Sequence, residues 1–461
     1  MAVKAGFILP HPPLIIPEIG RGEQIKIQRT SDAYHSIAKR IAEIKPDTII
    51  VATPHSIMYS DYIHISPGKG ARGSFGEFGH GDITVEAEYD IELVGEISRE
   101  AEMQGIPAGI LGEKNKSLDH GVMVALYFVN KYYNDYKLIR ISVSGLSSLE
   151  HYKFGKCIGE VSEKSGKTIV FIGSGDLSHM LKDEGPYGYR EEGPVFDREV
   201  TKAMKTGNFL EFLKFDEDFC ESAGECGLRS FIIMAGALDR KNVSSEFLSY
   251  EGPFGVGYAV AAFNVLENDE ERCFYEIYLK NETERVESLK SEEDEYVRLA
   301  RQTLESYVIN RKIIRRPDDL SNDMTSNRAG VFVSLKLDGN LRGCIGTTSP
   351  TTQSIADEII QNAISAGAED PRFPPVCEEE LKRLVYSVDV LGDAEKIRSA
   401  DELNPEKYGV IVSKGHRKGL LLPNLEGVDT AEEQVSIALK KAGISPAENY
   451  KLERFEVVRH K

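Results

Sequence analysis

The chain has 461 residues, with 56 basic against 74 acidic side chains and a formal net charge of −18. That excess of negative charge repels phosphate backbones and argues against nonspecific nucleic-acid binding, while the length exceeds one ordinary core and implies about two or three domains. The six cysteines, Cys157, Cys220, Cys226, Cys273, Cys344 and Cys377, lack any CxxC pair. This fits reduced thiols in the cytoplasm better than a disulfide framework or a zinc cluster.

The chain opens on VKAGFILPHPPLIIP, Val3 to Pro17, where the apolar run Ala5 to Leu9 is stopped by Pro10 and followed at once by His11. Four prolines within eight residues exclude a signal h-region and a spanning helix. No other run approaches the roughly 18 apolar residues of a membrane span, so a soluble protein without a membrane partner is expected. From Val3 to Phe263, strand-like runs ending in polar loops (DTIIVATPHS, LIRISVSGLS, KTIVFIGSGDLSH) alternate with amphipathic helical patterns at Ser31 to Ile44 and Asp90 to Met103. Such alternation predicts an α/β domain over residues 1–266, with a central sheet covered by helices and sites in the loops after the strands.

Residues 267–289 are charge-dense and read as a linker, although RCFYEIYL within them has the look of a strand or a packed tether. From Tyr296 a helical face recurs at Leu299, Ala300, Thr303, Leu304, Tyr307 and Val308, and a second domain is placed at 290–461. Its alternating run Val331 to Leu337 turns at Asp338-Gly339. A helix marked by Ile355, Ile359 and Ala363 comes next, then the strand LVYSVDVLG, a hairpin over GVIVSKGHRKGLLLP and a helix capped at Asp429/Thr430 that stops near Gly443. This domain is expected to be α+β.

His11 and His55 each follow an apolar run and a proline, one βα unit apart. Imidazoles at the ends of separate strands converge on one edge of a sheet, as a mononuclear metal requires. His120 in SLDHGVMVAL, His179 in FIGSGDLSHM and Glu225 in ESAGECGLRSFIIMAGAL occupy comparable positions, Glu225 at the opening of the helix Leu228 to Leu238, where the dipole favours negative charge. Two histidines and one carboxylate form the donor set of non-haem Fe(II) oxygen chemistry. Each histidine taken alone is more often a hydrogen-bonded or exposed structural residue, and GSGD, which lacks the third glycine of a dinucleotide fingerprint, also reads as a simple turn.

In order and spacing, LPHPPL, TPHS, LDHG, GSGDLSH and SAGECG…AGAL resemble the class III extradiol ring-cleavage dioxygenases, the LigB-like superfamily that includes Memo-like proteins. The resemblance implies that His11, His55 and Glu225 bind Fe(II), that His179 serves as general acid/base and that His120 lines the substrate site. Asp119 or Asp176 would orient neighbouring imidazoles. Memo-like relatives use a cysteine near the late glutamate, which leaves Cys226 as the alternative third ligand and, through its thiolate, copper or a redox role as the alternative chemistry. The glycine- and aromatic-rich stretch Ser74 to Asp82 reads either as a cover for a planar substrate or as a surface hairpin.

The second half, through LRGCIGT, DPRFPPV, VSKGHRKGLLLP and FEVV, resembles AMMECR-type domains over about residues 290–461. Cys344 within it reads as a nucleophile, a redox thiol or a small buried core residue. The fusion is similar to protein A of the AmmeMemoRadiSam system, which implies a radical SAM protein as partner, since the chain holds no CxxxCxxC cluster motif of its own. The expectation is an Fe(II)-dependent extradiol-type dioxygenase taking a catechol-like small aromatic and O₂. The alternative is a metal- or redox-dependent modification factor without ring cleavage, or a binding scaffold whose metal is structural. Assembly as a homo-oligomer is left open.

Overall fold

The computed structural model describes residues 1–114, 117–425 and 428–461, and the chain divides into two compact units, Met1–Leu279 and Lys280–Lys461. In the first unit the principal elements are β1 (Val3–Leu9), α1 (Gln28–Ile44), β2 (Thr48–Thr53), β3 (Gly70–Phe75), β4 (His80–Glu88), α2 (Ile91–Met103) and α3 (His120–Val129). They continue with β5 (Lys137–Ser142), α4 (Ser148–Ser165), β6 (Ile169–Ser174), α5 (Glu192–Thr206), α6 (Leu228–Ala237), β7 (Lys241–Glu251) and β8 (Tyr258–Asn268). The main sheet has the order β5-β2-β6-β1-β8-β7, parallel through β5, β2, β6 and β1 and antiparallel at β8 and β7.

Strands β2 and β6 are buried along their whole length because both faces of the sheet are covered. Ile8, Ile50, Ala52 and Phe171 enter one core with α2, α4, α5 and α6, while Phe7, Leu9, Ile49, Val51 and Val170 enter the other with α1 and α3. In α1 the buried Ala33, Tyr34, Ile37, Ala38 and Ile41 follow the helical repeat, and Asp90 caps α2 by accepting the Leu93 N–H. Parallel register pairs Leu9 with Ser174 and Ala52 with Gly173, so the carboxyl ends of β1, β2 and β6 finish side by side.

The charged stretch 267–289 is structured. Strand β8 runs to Asn268, a 3₁₀ turn comes next, and α7 (Phe274–Glu292) spans the rest. RCFYEIYL is therefore helix rather than strand, because Phe274 and Tyr278, spaced i, i+4, bury together in the core of the first unit. Ser74 to Asp82 is the end of β3, a short turn and the start of β4.

The second unit contains α8 (Glu295–Asn310), β9 (Val331–Leu337), β10 (Asn340–Gly346), α9 (Ile355–Ala368), β11 (Leu384–Leu391), β12 (Glu395–Ile397), β13 (Tyr408–Lys414), β14 (Arg417–Leu421), α10 (Ala431–Ala442) and β15 (Lys451–His460). Its antiparallel sheet runs β10-β9-β11-β15-β13-β14, with β12 against β15. Asp338 and Gly339, both at positive φ, make the β9–β10 turn, and a Thr430/Glu433 capping box starts α10. Among the described residues no helix is long and apolar enough to cross a membrane.

Gly175, just after β6, lies directly against Gly227, where α6 begins, and a Cβ at either would enter its neighbours. Gly175→Ala should destabilise the chain by about 1–3 kcal/mol through this overpacking, a cost read from urea unfolding. His151 in α4 is fully buried, its Nδ1–H donating to Ser147 O (2.9 Å) and its Nε2 accepting the Ser144 N–H (3.1 Å). Burial pulls its pKa down to about 4, so between that value and the unfolded value of about 6.5 only the unfolded chain takes up the proton. Stability contributed at neutral pH should fall as pH drops through this window, by about 1.4 kcal/mol per unit for this group, and the fall should be shallower in His151→Gln.

Candidate metal centre

The loop after β1 delivers His11. Its backbone N–H donates to Asp176 Oδ1 (2.8 Å), and the Tyr34 hydroxyl donates to the Pro10 carbonyl, so the proline-rich turn is fixed from both sides. The ring Nδ1 lies 3.0 Å from Ser174 Oγ, and the Ser174 hydroxyl donates to Gly121 O (2.7 Å). With its proton committed there, Ser174 accepts from Nδ1–H, which leaves Nε2 of His11 as a lone-pair donor.

The loop after β2 delivers His55. Thr53 Oγ1 accepts the His55 N–H (3.2 Å) and donates to Asp119 Oδ1 (2.8 Å); the same carboxylate caps α3 by accepting the Val122 N–H (3.2 Å). One carboxylate thus ties the His55 loop to the helix that starts with His120. The His55 and His120 rings have centroids 4.0 Å apart, and those of His11 lie 4.6 Å from His55 and 5.3 Å from His120.

His11 Nε2 and His55 Nε2 face each other at 2.9 Å, and Cys226 Sγ lies 3.6 Å from His11 Nε2. Ligand atoms of His11, His55 and Cys226 all fall within 4.8 Å of one another. Burial first, then neighbouring imidazoles, hold His11 well below the usual histidine range, and burial with His120 brings His55 to about 4. His120 and His179 are lowered as well, chiefly by burial. Burial, reinforced by Asp176 and Glu225, pushes the Cys226 thiol up. Two neutral imidazoles with their Nε2 atoms brought together beside a buried thiol fit a metal ion, because neutral imidazoles supply lone pairs to a cation and a cation reverses the penalty on the thiolate.

The two candidates for third ligand have different surroundings. Glu225 is turned toward the start of α6, its Oε2 accepting the Leu228 N–H (2.7 Å), and burial raises its pKa to about 7. Its chain neighbour Cys226, whose Sγ accepts the Asp176 N–H (3.3 Å), is the residue that joins the two histidines. The two acidic residues expected to orient imidazoles act instead on main chain and hydroxyl groups: Asp176 on the His11 N–H, Asp119 on Thr53 and the α3 cap. Sequence reasoning missed Ser174 and Thr53, the last residues of β6 and β2, whose hydroxyls make the contacts to His11 and His55.

His179 stacks on Tyr187 with centroids 5.1 Å apart and interacts electrostatically with His55. His55, Asp119 and His120 line a cleft of about 570 Å³ together with Glu77, Phe78 and Met123. Phe78, from the turn between β3 and β4, stands edge-on to His120 at 5.5 Å.

In the second unit, Cys344 is partly exposed rather than a buried core residue. Its Sγ accepts from Ser334 Oγ (3.2 Å), its N–H donates to Asp370 Oδ2 (2.9 Å), and Arg372 donates to its carbonyl (2.9 Å). LRGCIGT and DPRFPPV thus meet at one place.

Residues 5–261 match the family model described as the catalytic LigB subunit of aromatic ring-opening dioxygenase, and residues 297–460 match the AMMECR1 model. The chain belongs to the LigB family, in a form that carries an AMMECR1 domain behind the LigB domain. Protein CA_C1420 of Clostridium acetobutylicum is 45% identical over 100% of both chains, and a Thermotoga maritima protein is 50% identical over 37% of this chain and 98% of its own. Uncharacterized protein PH0010 of Pyrococcus horikoshii, a crystal structure, shares 34% identity over 36% of this chain and 88% of its own, with a TM-score of 0.34. Uncharacterized protein JW3007 of Escherichia coli shares 12% over 56% and 99%, with a TM-score of 0.37.

Ser174→Ala removes the acceptor that orients the His11 ring. It should weaken metal binding by roughly 10–100-fold, measured by competition with a chromophoric chelator, and lower stability by about 1–3 kcal/mol, because Gly121 O and His11 Nδ1–H lose their buried partner.

Proposed function

We propose that the LigB domain performs metal-dependent redox modification of a small molecule or a partner, without ring cleavage, with the ion held by His11, His55 and Cys226. The observation that supports this reading is the donor group itself, two imidazoles and a thiol, while the Glu225 carboxyl is committed to the start of α6. A thiolate-containing site suits copper or iron in a redox role, and such an ion supplies electron transfer that no side chain here supplies. The protein's own groups do the rest. His120 and His179, neutral at pH 7, accept or return a proton beside the cleft, and Phe78 presents an aromatic edge to a planar occupant. In this reading the AMMECR1 domain recognises substrate or partner, a separate radical SAM protein acts in the same process, and the protein works in the cytoplasm.

A second reading is Fe(II)-dependent extradiol cleavage of a catechol-like aromatic with O₂, Glu225 serving as third ligand. It is favoured by neutral His120 and the Phe78-lined cleft that it shares with His55.

Metal analysis of anaerobically purified protein separates the two. About one ion per chain is expected for the wild type. In the first reading the ion is lost in Cys226→Ser and kept in Glu225→Gln, and catechols are not cleaved. Loss of iron in Glu225→Gln with retention in Cys226→Ser, together with oxygen uptake on a catechol, establishes the second reading instead.

A further inference from the structure

The second unit contains a cavity of about 300 Å³ for which the LigB chemistry has no use. It lies where the ladder between β11 and β15 stops: β15 pairs only with Val388 to Leu391, and the four preceding residues of β11, Leu384, Val385, Tyr386 and Ser387, line the cavity in succession. Opposite them stand Val286 and Leu289 of α7 and Val297 of α8. The walls are therefore largely apolar.

Two observations point to an occupant. Tyr386 is 2% exposed, and its hydroxyl has no hydrogen-bond partner among the described residues, a cost of about 1–3 kcal/mol for a buried polar group. Lys290, Lys336 and Lys461 also line the cavity, in a chain of net charge −18. Lys336 and Lys461 form no ion pair among the described residues, and Lys290 makes only long contacts of 3.4 Å with Glu305 and with the Leu381 carbonyl. The single acidic residue in the lining, Glu293, is held by Arg301 through both carboxylate oxygens, at 2.8 and 2.9 Å.

We propose that this cavity binds a small amphipathic carboxylate, its apolar body against Val286, Leu289, Val297 and Leu384 and its charge among the three lysine ammoniums. The volume is at the lower end of small-molecule sites, enough for a short acyl chain or a single ring. With Glu293 held by Arg301, the three lysines leave the lining with an excess of positive charge, which favours an anionic occupant over a neutral one.

Calorimetric titration of octanoate into the full chain, stripped of metal so that His11, His55 and Cys226 do not contribute, tests the assignment. Saturable binding of a single octanoate per chain is expected, with 1-octanol binding roughly tenfold more weakly because it lacks the charge. Lys336→Gln should weaken octanoate roughly fivefold. Leu289→Gln should remove binding without shifting the melting temperature, since Leu289 is 40% exposed and contributes little to the core. Absence of saturable heat, equal affinity for octanol, or wild-type binding in both variants overturns the proposal.

Discussion

The parallel pairing of β1 and β2 with β6 is the constraint on which the histidine–cysteine cluster depends. Because Leu9 sits beside Ser174 and Ala52 beside Gly173, the loops leaving these strands begin at one level, and His11 and His55 need only two residues each to come within reach of one another. The energy that holds this register comes from elsewhere. Alternate residues of the same strands are locked into two cores on opposite faces of the sheet, so a slip by one residue would exchange every contact in both. The ligands inherit their placement from packing in which they take no part.

Around that frame, short hydrogen bonds convert placement into chemistry. Ser174 fixes which nitrogen of His11 carries the proton, and Asp119 couples the His55 loop to the first turn of α3 through Thr53. Burial then keeps the imidazoles neutral. A charged imidazole would repel both its neighbours and a cation, so the dry environment that costs solvation is also what makes the cluster a set of ligands.

The strand-proline-histidine echo at His11 and His55 was legible in the sequence because the length of a strand fixes where the residue at its carboxyl end emerges from the sheet. The choice between Glu225 and Cys226 was not. Adjacent residues at a helix start point in different directions, here Glu225 to the Leu228 N–H and Cys226 toward His11, and that is a tertiary outcome spacing does not encode. The stretch 267–289 was legible in part: the division between the units falls inside it and its start packs on the first unit, while its charges hid the helix that two aromatic residues four apart anchor. The cavity of the second unit was invisible, since it arises where one ladder ends before its neighbour does, and strand boundaries are the least readable part of a chain.

The contact between Gly175 and Gly227 has an evolutionary consequence. Where the loop carrying Asp176 meets the segment carrying Glu225 and Cys226, the two glycines leave no room for a Cβ, and Cys226 Sγ joins the same two segments by accepting the Asp176 N–H. Their separation is therefore set jointly by a main-chain contact and by the side chain at position 226. A side chain at either glycine is therefore excluded by sterics, whereas a substitution at Cys226 changes both the group facing His11 and the tie between the segments, so the two kinds of position are constrained for different physical reasons.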